Sequence, residues 1–289
     1  MLNINPNINI FDKSFNLKNT IKYVLSIQLR LNGFSFSILN SESNNFIALK
    51  SVNYNNPLKF NSHEYFNKLN DSFSENEILN KSFKRINIII RNYKSTLIPF
   101  PLFEVYDKNN YAFFNNDIQE DDLVVYDKLT NLEAYNVYTI PVGLKSKLIE
   151  LFPESRVRHF STPLIEGLLI KYKNQNINKA FLNVEKDHFD LVIFNNYKLI
   201  FFNSFEYKTD KDFIYFLLFT FEQLKINPEN FDLVLLGNIL KGSKEYNIIL
   251  KYVRNVSFIK RNDYYKYSYL FEPLPQHFFY NLLNSDLCE

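Results

Sequence analysis

The strongest constraint on the fold of this chain is a pattern that occurs twice, in which three short apolar strands precede a helix. One copy lies between Leu25 and Leu79 and the other between Phe181 and Leu224. In each copy, short polar turns separate the strands, and a longer segment with apolar residues at helical spacing follows. Self-similarity on this scale indicates a duplicated supersecondary unit. The chain is therefore expected to fold into two related lobes.

The rest of the chain also alternates between strand and helix patterns, which predicts an α/β architecture with a central mixed sheet flanked by helices in each lobe. The helix predicted for Asp210 to Leu224 is apolar on all sides, which favours burial between the sheet and a neighbour, with Thr209 or Asp210 as its N-cap. The segments predicted in the two copies are strands 23–29, 34–39 and 46–52 with helix 63–79, then strands ending at 184 and spanning 189–194 and 199–205 with helix 210–224. Outside the copies, residues 86–90 form an apolar run. The predicted strands there are 123–126, 135–140, 156–160, 231–236 and 256–259, and the predicted helices are 143–151, 161–172, 244–253 and 275–283.

The same pattern predicts three segments along the chain. Residues 1–19 are polar and rich in asparagine, which indicates a flexible N-terminal arm. Residues 20–162 are predicted to form an N-terminal lobe and residues 163–289 a C-terminal lobe.

Composition restricts the classes of function. The chain has 33 Lys and Arg against 31 Asp and Glu, a net charge of +2 that does not by itself indicate a polyanionic partner. Its 30 Phe and 20 Tyr, with 5 Gly and no Trp, are typical of an AT-rich genome, so aromatic content alone does not indicate a binding surface. The single cysteine, Cys288, permits neither an internal disulfide nor a cysteine metal cluster. The four histidines are widely scattered, and no metal site is expected.

Targeting and membrane signals are weak. The first residues lack a basic stretch followed by an apolar run, so we expect no secretory signal. The apolar run Phe213 to Phe221 is about half of the ~20 residues needed to span a bilayer. We therefore expect a cytoplasmic protein without membrane insertion.

Four segments resemble the nucleotide-binding elements of the actin-like ATPase superfamily, which includes sugar kinases, Hsp70 chaperones, actin and PilM. Residues 26–33 (SIQLRLNG) resemble the first phosphate loop, 183–190 (NVEKDHFD) the second, 161–167 (STPLIEG) the connecting helix and 235–238 (LLGN) the adenosine loop. Residues 134–141 (AYNVYTIP) and 203–224 also resemble segments of a bacterial family of unknown function, number 3822. The resemblance implies a duplicated actin-like, ribonuclease H-like fold.

The first phosphate loop departs from the superfamily pattern. That pattern has an Asp that positions Mg²⁺ through water and a glycine that lets backbone N–H groups approach phosphate. Here Gln28 and Arg30 stand at these positions, and Asn32 and Gly33 complete the loop. A neutral amide is a poor ligand for a hard cation, and Arg30 adds bulk where the backbone should be open.

The second phosphate loop and the adenosine loop depart as well. Asn183 replaces the Asp of the second loop, and Glu185 and Asp187 replace its glycines, so two carboxylates would repel a polyphosphate. The adenosine loop keeps Gly237 but has Asn238 where a second glycine is expected. We therefore expect no bound Mg·ATP and no other cofactor.

Three functions are consistent with these observations, and the first is favoured. It is a non-catalytic scaffold or adaptor that binds a protein partner, as PilM-like relatives do. The second is a divergent Mg-ATP-dependent ATPase or kinase, for which Glu185, Asp187 and Asp190 are the candidate metal-binding acids in a cleft between the lobes. His188 beside Asp187 and Asp190 would be suited to proton transfer, although an ordinary surface hairpin is the favoured interpretation.

The third is an RNA-associated accessory protein. Basic side chains that neutralise phosphates alternate with aromatic rings between residues 251 and 269, and such a pattern is typical of single-stranded nucleic-acid surfaces. It is equally typical of an ordinary strand edge in a chain rich in Lys and Tyr. The candidate residues are Lys251, Arg254, Lys260, Arg261, Tyr264, Tyr265 and Lys266.

Overall fold

A computed structural model describes residues 8–54, 56–92, 94–115, 118–173 and 175–287. The first seven residues of the predicted arm and Cys288 lie outside the described residues. The strands are β1 Asn9–Phe11, β2 Tyr23–Arg30, β3 Gly33–Asn40, β4 Asn45–Asn53, β5 Arg85–Ile90, β6 Ser95–Pro99, β7 Asp122–Leu129, β8 Ala134–Pro141, β9 Arg156–His159, β10 Lys179–Val184, β11 His188–Asn195, β12 Lys198–Glu206, β13 Asp232–Gly237, β14 Asn255–Phe258 and β15 Lys266–Tyr267. The α-helices are α1 His63–Ser74, α2 Lys108–Asn115, α3 Val142–Leu151, α4 Ser161–Lys171, α5 Asp210–Gln223, α6 Lys244–Ile249 and α7 Tyr280–Asn284.

The described residues divide into two compact units. The N-terminal unit contains residues 8–168, 263–273 and 281–287, and the C-terminal unit contains residues 169–262 and 274–280. Three segments that the sequence pattern assigns to the C-terminal lobe, 163–168, 263–273 and 281–287, thus belong to the N-terminal unit. Backbone pairing accounts for segment 263–273, because β15 adds to β4 as a parallel strand.

The main sheet of the N-terminal unit has the strand order β1-β4-β3-β2-β5-β9, with β15 also paired to β4. β2 is antiparallel to β3 and parallel to β5. Alternate residues of β2, namely Leu25, Ile27 and Leu29, belong to the hydrophobic core beneath helices α1 and α3. Ser26 and Arg30, at alternate positions on the opposite face of the strand, are also buried.

The sheet of the C-terminal unit repeats this arrangement in the order β12-β11-β10-β13-β14. β10 is antiparallel to β11 and parallel to β13, as β2 is to β3 and β5. Its core lies between the sheet and α5, where Phe189, Leu217 and Leu235 are fully buried. The same strand order and the same mixture of directions in two sheets confirm the duplication predicted from the sequence.

A small three-stranded sheet, β6-β8-β7, belongs to the N-terminal unit. It packs with α2 around Ala112, Val124 and Val137. The sequence pattern predicts β7 and β8 but leaves out β6 and α2, because Ser95–Pro99 is short and half of the eight residues of Lys108–Asn115 are polar.

Two further expectations differ from the structure. Residues 8–19 are not a flexible arm: β1 pairs with β4, Ile8 is buried, and a 3₁₀ helix begins at Leu17. Helix α5 is not buried on all sides, since Tyr215 and Phe219 are exposed. In the part of the chain that the structure describes, no helix combines the length and the apolar character needed to cross a bilayer.

Candidate functional site

The first phosphate-loop position is the turn between β2 and β3. Arg30 is buried there, and its Nη2 donates hydrogen bonds to Ser35 Oγ at 3.2 Å, Ser51 Oγ at 3.3 Å and Asn53 Oδ1 at 3.1 Å. These partners lie on the next two strands, so the guanidinium joins three strands of the sheet. Gln28, two residues earlier on the same face, is partly buried.

The turn itself is closed by backbone hydrogen bonds. The carbonyl of Asn32 accepts from the N–H of Tyr54 at 2.7 Å, and the carbonyl of Leu31 accepts from the N–H of Leu58 at 2.8 Å. Gly33 has a φ of +137°, and a Cβ at this position would lie 2.1 Å from the carbonyl oxygen of Val52. The glycine is therefore required by contact with the adjacent strand β4.

The second phosphate-loop position is the hairpin between β10 and β11. Asp190 is fully buried, and its carboxylate accepts hydrogen bonds from Asn183 Nδ2 at 2.8 Å and Ser204 Oγ at 2.7 Å. This carboxylate therefore joins the three neighbouring strands β10, β11 and β12.

The adenosine-loop position lies directly against this hairpin. Asn238 Nδ2 donates to the Glu185 carboxylate at 2.5 Å, and the N–H of Asn238 donates to the carbonyl of Val184 at 2.7 Å. Gly237 has a φ of +77°, and a Cβ there would lie 2.3 Å from the same Val184 oxygen. The structure thus brings the two predicted loops together, with side chains of one bonded to the other.

Several carboxylates lie close to the hairpin between β10 and β11. The Asp187 carboxylate lies 2.9 Å from His188 Nδ1, and this hydrogen bond lowers the pKa of Asp187. Tyr207 donates its hydroxyl hydrogen to the carbonyl of Glu185 at 2.6 Å. Burial is the main cause of the raised pKa of Tyr207, and the nearby carboxylates of Glu245, Asp187, Glu185 and Asp210 raise this pKa further. Glu185 and Asp187 thus place two carboxylates on this hairpin, with Lys186 between them.

Comparison with known proteins assigns the chain to a family. The model of the family "Protein of unknown function (DUF3822)" matches residues 12–256. The chain belongs to the DUF3822 family. No curated protein matches it.

The fold of this DUF3822 chain is similar to that of two solved structures. One is a Bacteroides thetaiotaomicron VPI-5482 protein described as having an actin-like ATPase fold and unknown function; it is 32% identical, the similarity covers 85% of this chain and 93% of that chain, and the TM-score is 0.76. The other is the PilM-PilN type IV pilus biogenesis complex, with 11% identity, coverage of 93% of this chain and 98% of that chain, and a TM-score of 0.56. The DUF3822 chain therefore has the two-lobed actin-like ATPase fold.

The predicted basic and aromatic surface of the DUF3822 chain is divided between the two units. Lys251, Arg254, Lys260 and Arg261 belong to the C-terminal unit, and Tyr264, Tyr265 and Lys266 to the N-terminal unit. Lys251, Arg254, Lys260, Tyr264 and Lys266 are exposed.

Two of these side chains are not freely accessible to a ligand. Arg261 is partly buried, and its Nη2 donates to the carbonyl of Leu274 at 2.9 Å. Tyr265 is buried, with its ring 5.0 Å from that of Phe46. A buried ring cannot stack on a nucleotide base.

Sequence reasoning missed a buried polar network at the start of α4. The Asp127 carboxylate accepts hydrogen bonds from the Thr162 hydroxyl at 2.7 Å, the N–H of His159 at 2.8 Å and the Tyr138 hydroxyl at 3.1 Å. Burial raises the pKa of Asp127 to about 6, against the opposing effect of these donors. The available signal was Asp127, a charged residue that follows the apolar run Leu123 to Tyr126 in strand β7 and occupies a buried position.

The same network contains a Ser–His pair that resembles a nucleophile with its base. His159 Nδ1 lies 2.7 Å from Ser161 Oγ, and His159 Nε2 lies 2.7 Å from the carbonyl of Asn92. Because a carbonyl only accepts, Nε2 carries the proton and Nδ1 accepts from the serine. Both side chains are fully buried, so this pair stabilises the fold and has no access to a substrate.

A cluster of metal ligands or a surface groove could also form a site. Among the described residues, no group of three or more His, Cys, Asp or Glu side chains is placed to hold a metal ion. A surface groove of about 750 Å³ in the N-terminal unit is lined by residues that include Lys84, Arg85, Glu154 and Arg156, and by none of the predicted loop residues.

Proposed function

We propose that this protein is a non-catalytic scaffold or adaptor of the actin-like fold, which binds a protein partner in the cytoplasm. The observation that carries the proposal is that the chain's own side chains bond to each other at the positions where the family resemblance places phosphate-binding groups. A fold of this type supports many functions, so the local chemistry of the site carries the argument.

The first phosphate loop supports this proposal through Arg30. A loop that cradles phosphate must leave backbone N–H groups open to the ligand. Here the guanidinium occupies the polar face of the sheet and bonds to Ser35, Ser51 and Asn53. The position keeps a structural role without a carboxylate that could hold Mg²⁺.

The second loop supports it through the bond between Glu185 and Asn238. This bond joins the two loops that would have to admit a nucleotide between them. Of the three acids considered as metal ligands, Asp190 is bonded to Asn183 and Ser204, and Glu185 to Asn238. Asp187 pairs with the adjacent His188. All three have partners within the chain, which favours the scaffold over the ATPase.

The similarity to a complex suggests the kind of partner. The PilM-PilN structure contains an actin-like protein together with a second protein in a type IV pilus biogenesis complex. By analogy, the partner of this chain is a protein. The RNA alternative is weakened because Arg261 and Tyr265, two of the residues it requires, are occupied within the fold.

A thermal-shift titration with Mg·ATP, Mg·ADP and buffer tests the absence of nucleotide binding. A ligand that binds only the folded state stabilises it by about 2.7 kcal/mol at 100 times its Kd. We expect no shift of the melting temperature at millimolar nucleotide. A shift that requires Mg²⁺ would contradict the proposal, and its loss in Asp187→Ala or Glu185→Gln would then identify the metal-binding acid.

Affinity purification of the tagged full chain at its natural expression level tests the second part of the proposal. We expect one protein to co-purify in a fixed ratio and to remain after nuclease treatment. Recovery of RNA that is released by salt and reduced in Lys260→Ala would support the RNA alternative instead.

A further inference from the structure

The groove of about 750 Å³ in the N-terminal unit lies where strands β5 and β9 begin. β9 pairs with β5 from Arg156 onwards, and Arg156 lies opposite Asn87. Before this point residues 152–155 form a turn, closed by a 3.0 Å hydrogen bond from the last N–H to the first carbonyl. Among the described residues, Arg85 and Ile86 therefore pair with β2 but with no strand on the opposite side. A gap in the sheet thus opens beside the start of β5.

The groove has an apolar floor and an exposed rim. The floor residues, which are buried or partly buried, are Phe73, Leu79, Phe83, Ile86, Leu151 and Phe152. Most of the other lining residues are exposed, among them Asn80, Ser82 and Pro153. Sites for small molecules enclose most of the ligand, whereas a rim this exposed leaves a ligand open to water. An extended peptide needs no enclosure, because it can lay alternate side chains on the floor.

Positive charge predominates in the lining of the groove. Among its described residues, the acidic one is Glu154 and the basic ones are Lys81, Lys84, Arg85 and Arg156. The whole chain is nearly balanced, with 33 basic and 31 acidic residues. The groove is therefore a local basic site that the overall charge of the chain does not account for.

Two of these basic residues remain available to a ligand. Lys81 and Arg85 each pair with a carboxylate of the chain, at 2.9 Å and 2.5 Å respectively. Lys84 and Arg156 are exposed, and neither forms an ion pair with a described residue. Lys84 Nζ donates to the uncharged hydroxyl of Ser41 at 3.1 Å. The charge of the groove is thus complementary to a ligand that carries carboxylates.

The aromatic rings of the groove favour a peptide over a nucleic acid. Phe73 and Phe152 are buried, and Phe83 is partly buried. A nucleotide base stacks on an exposed ring, and a buried ring cannot serve in this way. An aliphatic side chain requires only an apolar surface to cover.

We propose that this groove binds an extended acidic peptide segment of a partner protein. Apolar side chains of the segment cover the floor, and its carboxylates lie beside Lys84 and Arg156. Successive side chains of an extended chain point to opposite sides, so a segment in which acidic and apolar residues alternate satisfies both. The inference rests on the proposed adaptor function, for which it names the binding surface and the chemistry of the partner.

Fluorescence anisotropy of the full chain with labelled peptides at low salt tests the chemistry of the ligand. For a short peptide in which Glu and Leu alternate, the Glu–Leu peptide, we expect a dissociation constant below about 0.1 mM. A peptide in which Lys and Leu alternate should not bind, because its charge is the same as that of the groove. A peptide in which Glu and Ser alternate should bind at least about tenfold more weakly, because it leaves the apolar floor uncovered.

Charge reversal tests the location of the site. Lys84→Glu and Arg156→Glu should each weaken binding of the Glu–Leu peptide about tenfold. Arg156→Lys keeps the charge and should bind within about threefold of the wild type. Lys59→Glu makes the same change of net charge at an exposed position of the same unit outside the groove, and it should leave binding unchanged. Circular dichroism of each variant keeps a loss of folding separate from a loss of binding.

Four results would overturn the inference. The first is no binding of the Glu–Leu peptide up to about 1 mM. The second is an equal loss of binding in Lys59→Glu and Arg156→Glu, and the third is equal binding of the Lys–Leu peptide. The last is binding of a labelled oligouridylate that Lys84→Glu and Arg156→Glu abolish, which would assign the groove to nucleic acid.

Affinity purification separates this inference from the proposed function. We expect the protein that co-purifies with the wild-type chain to be lost in Arg156→Glu and retained in Lys59→Glu. A protein retained equally by Arg156→Glu would show that it binds elsewhere, which overturns the inference and leaves the adaptor function standing. If no protein co-purifies with the wild type, the adaptor function itself fails.

Discussion

Two glycines of the C-terminal unit share a left-handed backbone but differ in what surrounds them. Gly237 has a φ of +77°, and a Cβ there would lie 2.3 Å from Val184 O and 2.6 Å from Asn183 Oδ1. Gly242 has a φ of +87°, and a Cβ there would meet nothing within 4 Å. The first glycine is therefore required by close packing as well as by backbone conformation.

We expect Gly242→Ala to lower the free energy of unfolding by about 1–2 kcal/mol, the cost of a left-handed alanine. Gly237→Ala should cost at least about 2 kcal/mol more, because the hairpin that contacts it must also move. Urea denaturation of both variants measures the difference. Equal losses would show that the contact with Val184 does not constrain the loop.

His159 is a second residue whose properties are set by burial, which here changes its pKa. Burial lowers its pKa from 6.5 to about 3, and the neutral ring is bonded at both nitrogens. The unfolded chain binds a proton at His159 in a pH range where the folded chain does not. The contribution of this residue to stability is therefore present above pH 6.5 and is lost as the pH falls towards 3.

His159→Asn has no group that titrates in this range. We expect the variant to be less stable than the wild type at pH 7, with a difference that becomes smaller as the pH is lowered to 4. Urea unfolding at pH 7, 5.5 and 4 measures it. A difference that stays constant with pH would contradict a neutral, buried imidazole.

At the scale of secondary structure, α5 has the most clearly defined start. Thr209 is its N-cap, with Oγ1 accepting from the N–H of Asp212 at 3.2 Å, and Asp212 Oδ2 accepting from the N–H of Thr209 at 2.9 Å. This reciprocal capping box satisfies two N–H groups that have no partner within the helix. The N-cap predicted from the sequence was Thr209 or Asp210, and the structure selects the first.

Thr209→Ala should lower the free energy of unfolding by about 1 kcal/mol, the typical cost of losing such a cap. Lys211→Ala, an exposed change in the first turn of the same helix, should have little effect. Thermal unfolding of the wild type, Thr209→Ala and Lys211→Ala measures the stability of each protein. A loss in Lys211→Ala as large as in Thr209→Ala would mean that the cap is not responsible.

At the scale of the whole molecule, the last described segment stabilises the first sheet. The Asp286 carboxylate lies 2.5 Å from Arg85 Nη2 and 3.1 Å from Asn87 Nδ2, both on β5. Ser285 Oγ lies 2.8 Å from Ser26 Oγ on β2. The N-terminal unit is therefore completed by residues about 200 positions later in the chain.

Asp286→Ala should lower stability by about 1–3 kcal/mol, because it leaves Arg85 and Asn87 without their shared acceptor. It should also increase hydrogen exchange in β5. Asp263→Ala, at an exposed position of the same unit, is the control. Unchanged protection of β5 in Asp286→Ala would show that the C-terminal segment does not stabilise this strand.

The sequence by itself determined the duplicated strand order and the two apolar cores, because alternation in strands and spacing in helices are local patterns that burial imposes on each segment. It also predicts that certain loop positions lack the residues of a nucleotide site, and this prediction rests on residue identity alone. The match of residues 12–256 to the DUF3822 family likewise depends on the sequence alone.

Only the tertiary structure decided which groups are bonded across distant parts of the chain. The return of residues 281–287 to the N-terminal unit, the bond between Glu185 and Asn238, and the network around Asp127 all join side chains that are far apart in sequence. The exposure of Tyr215 and Phe219 on an apolar helix was likewise invisible. Long-range polar contacts leave no periodic signal, because each depends on a single pair of residues and on how the sheets place them.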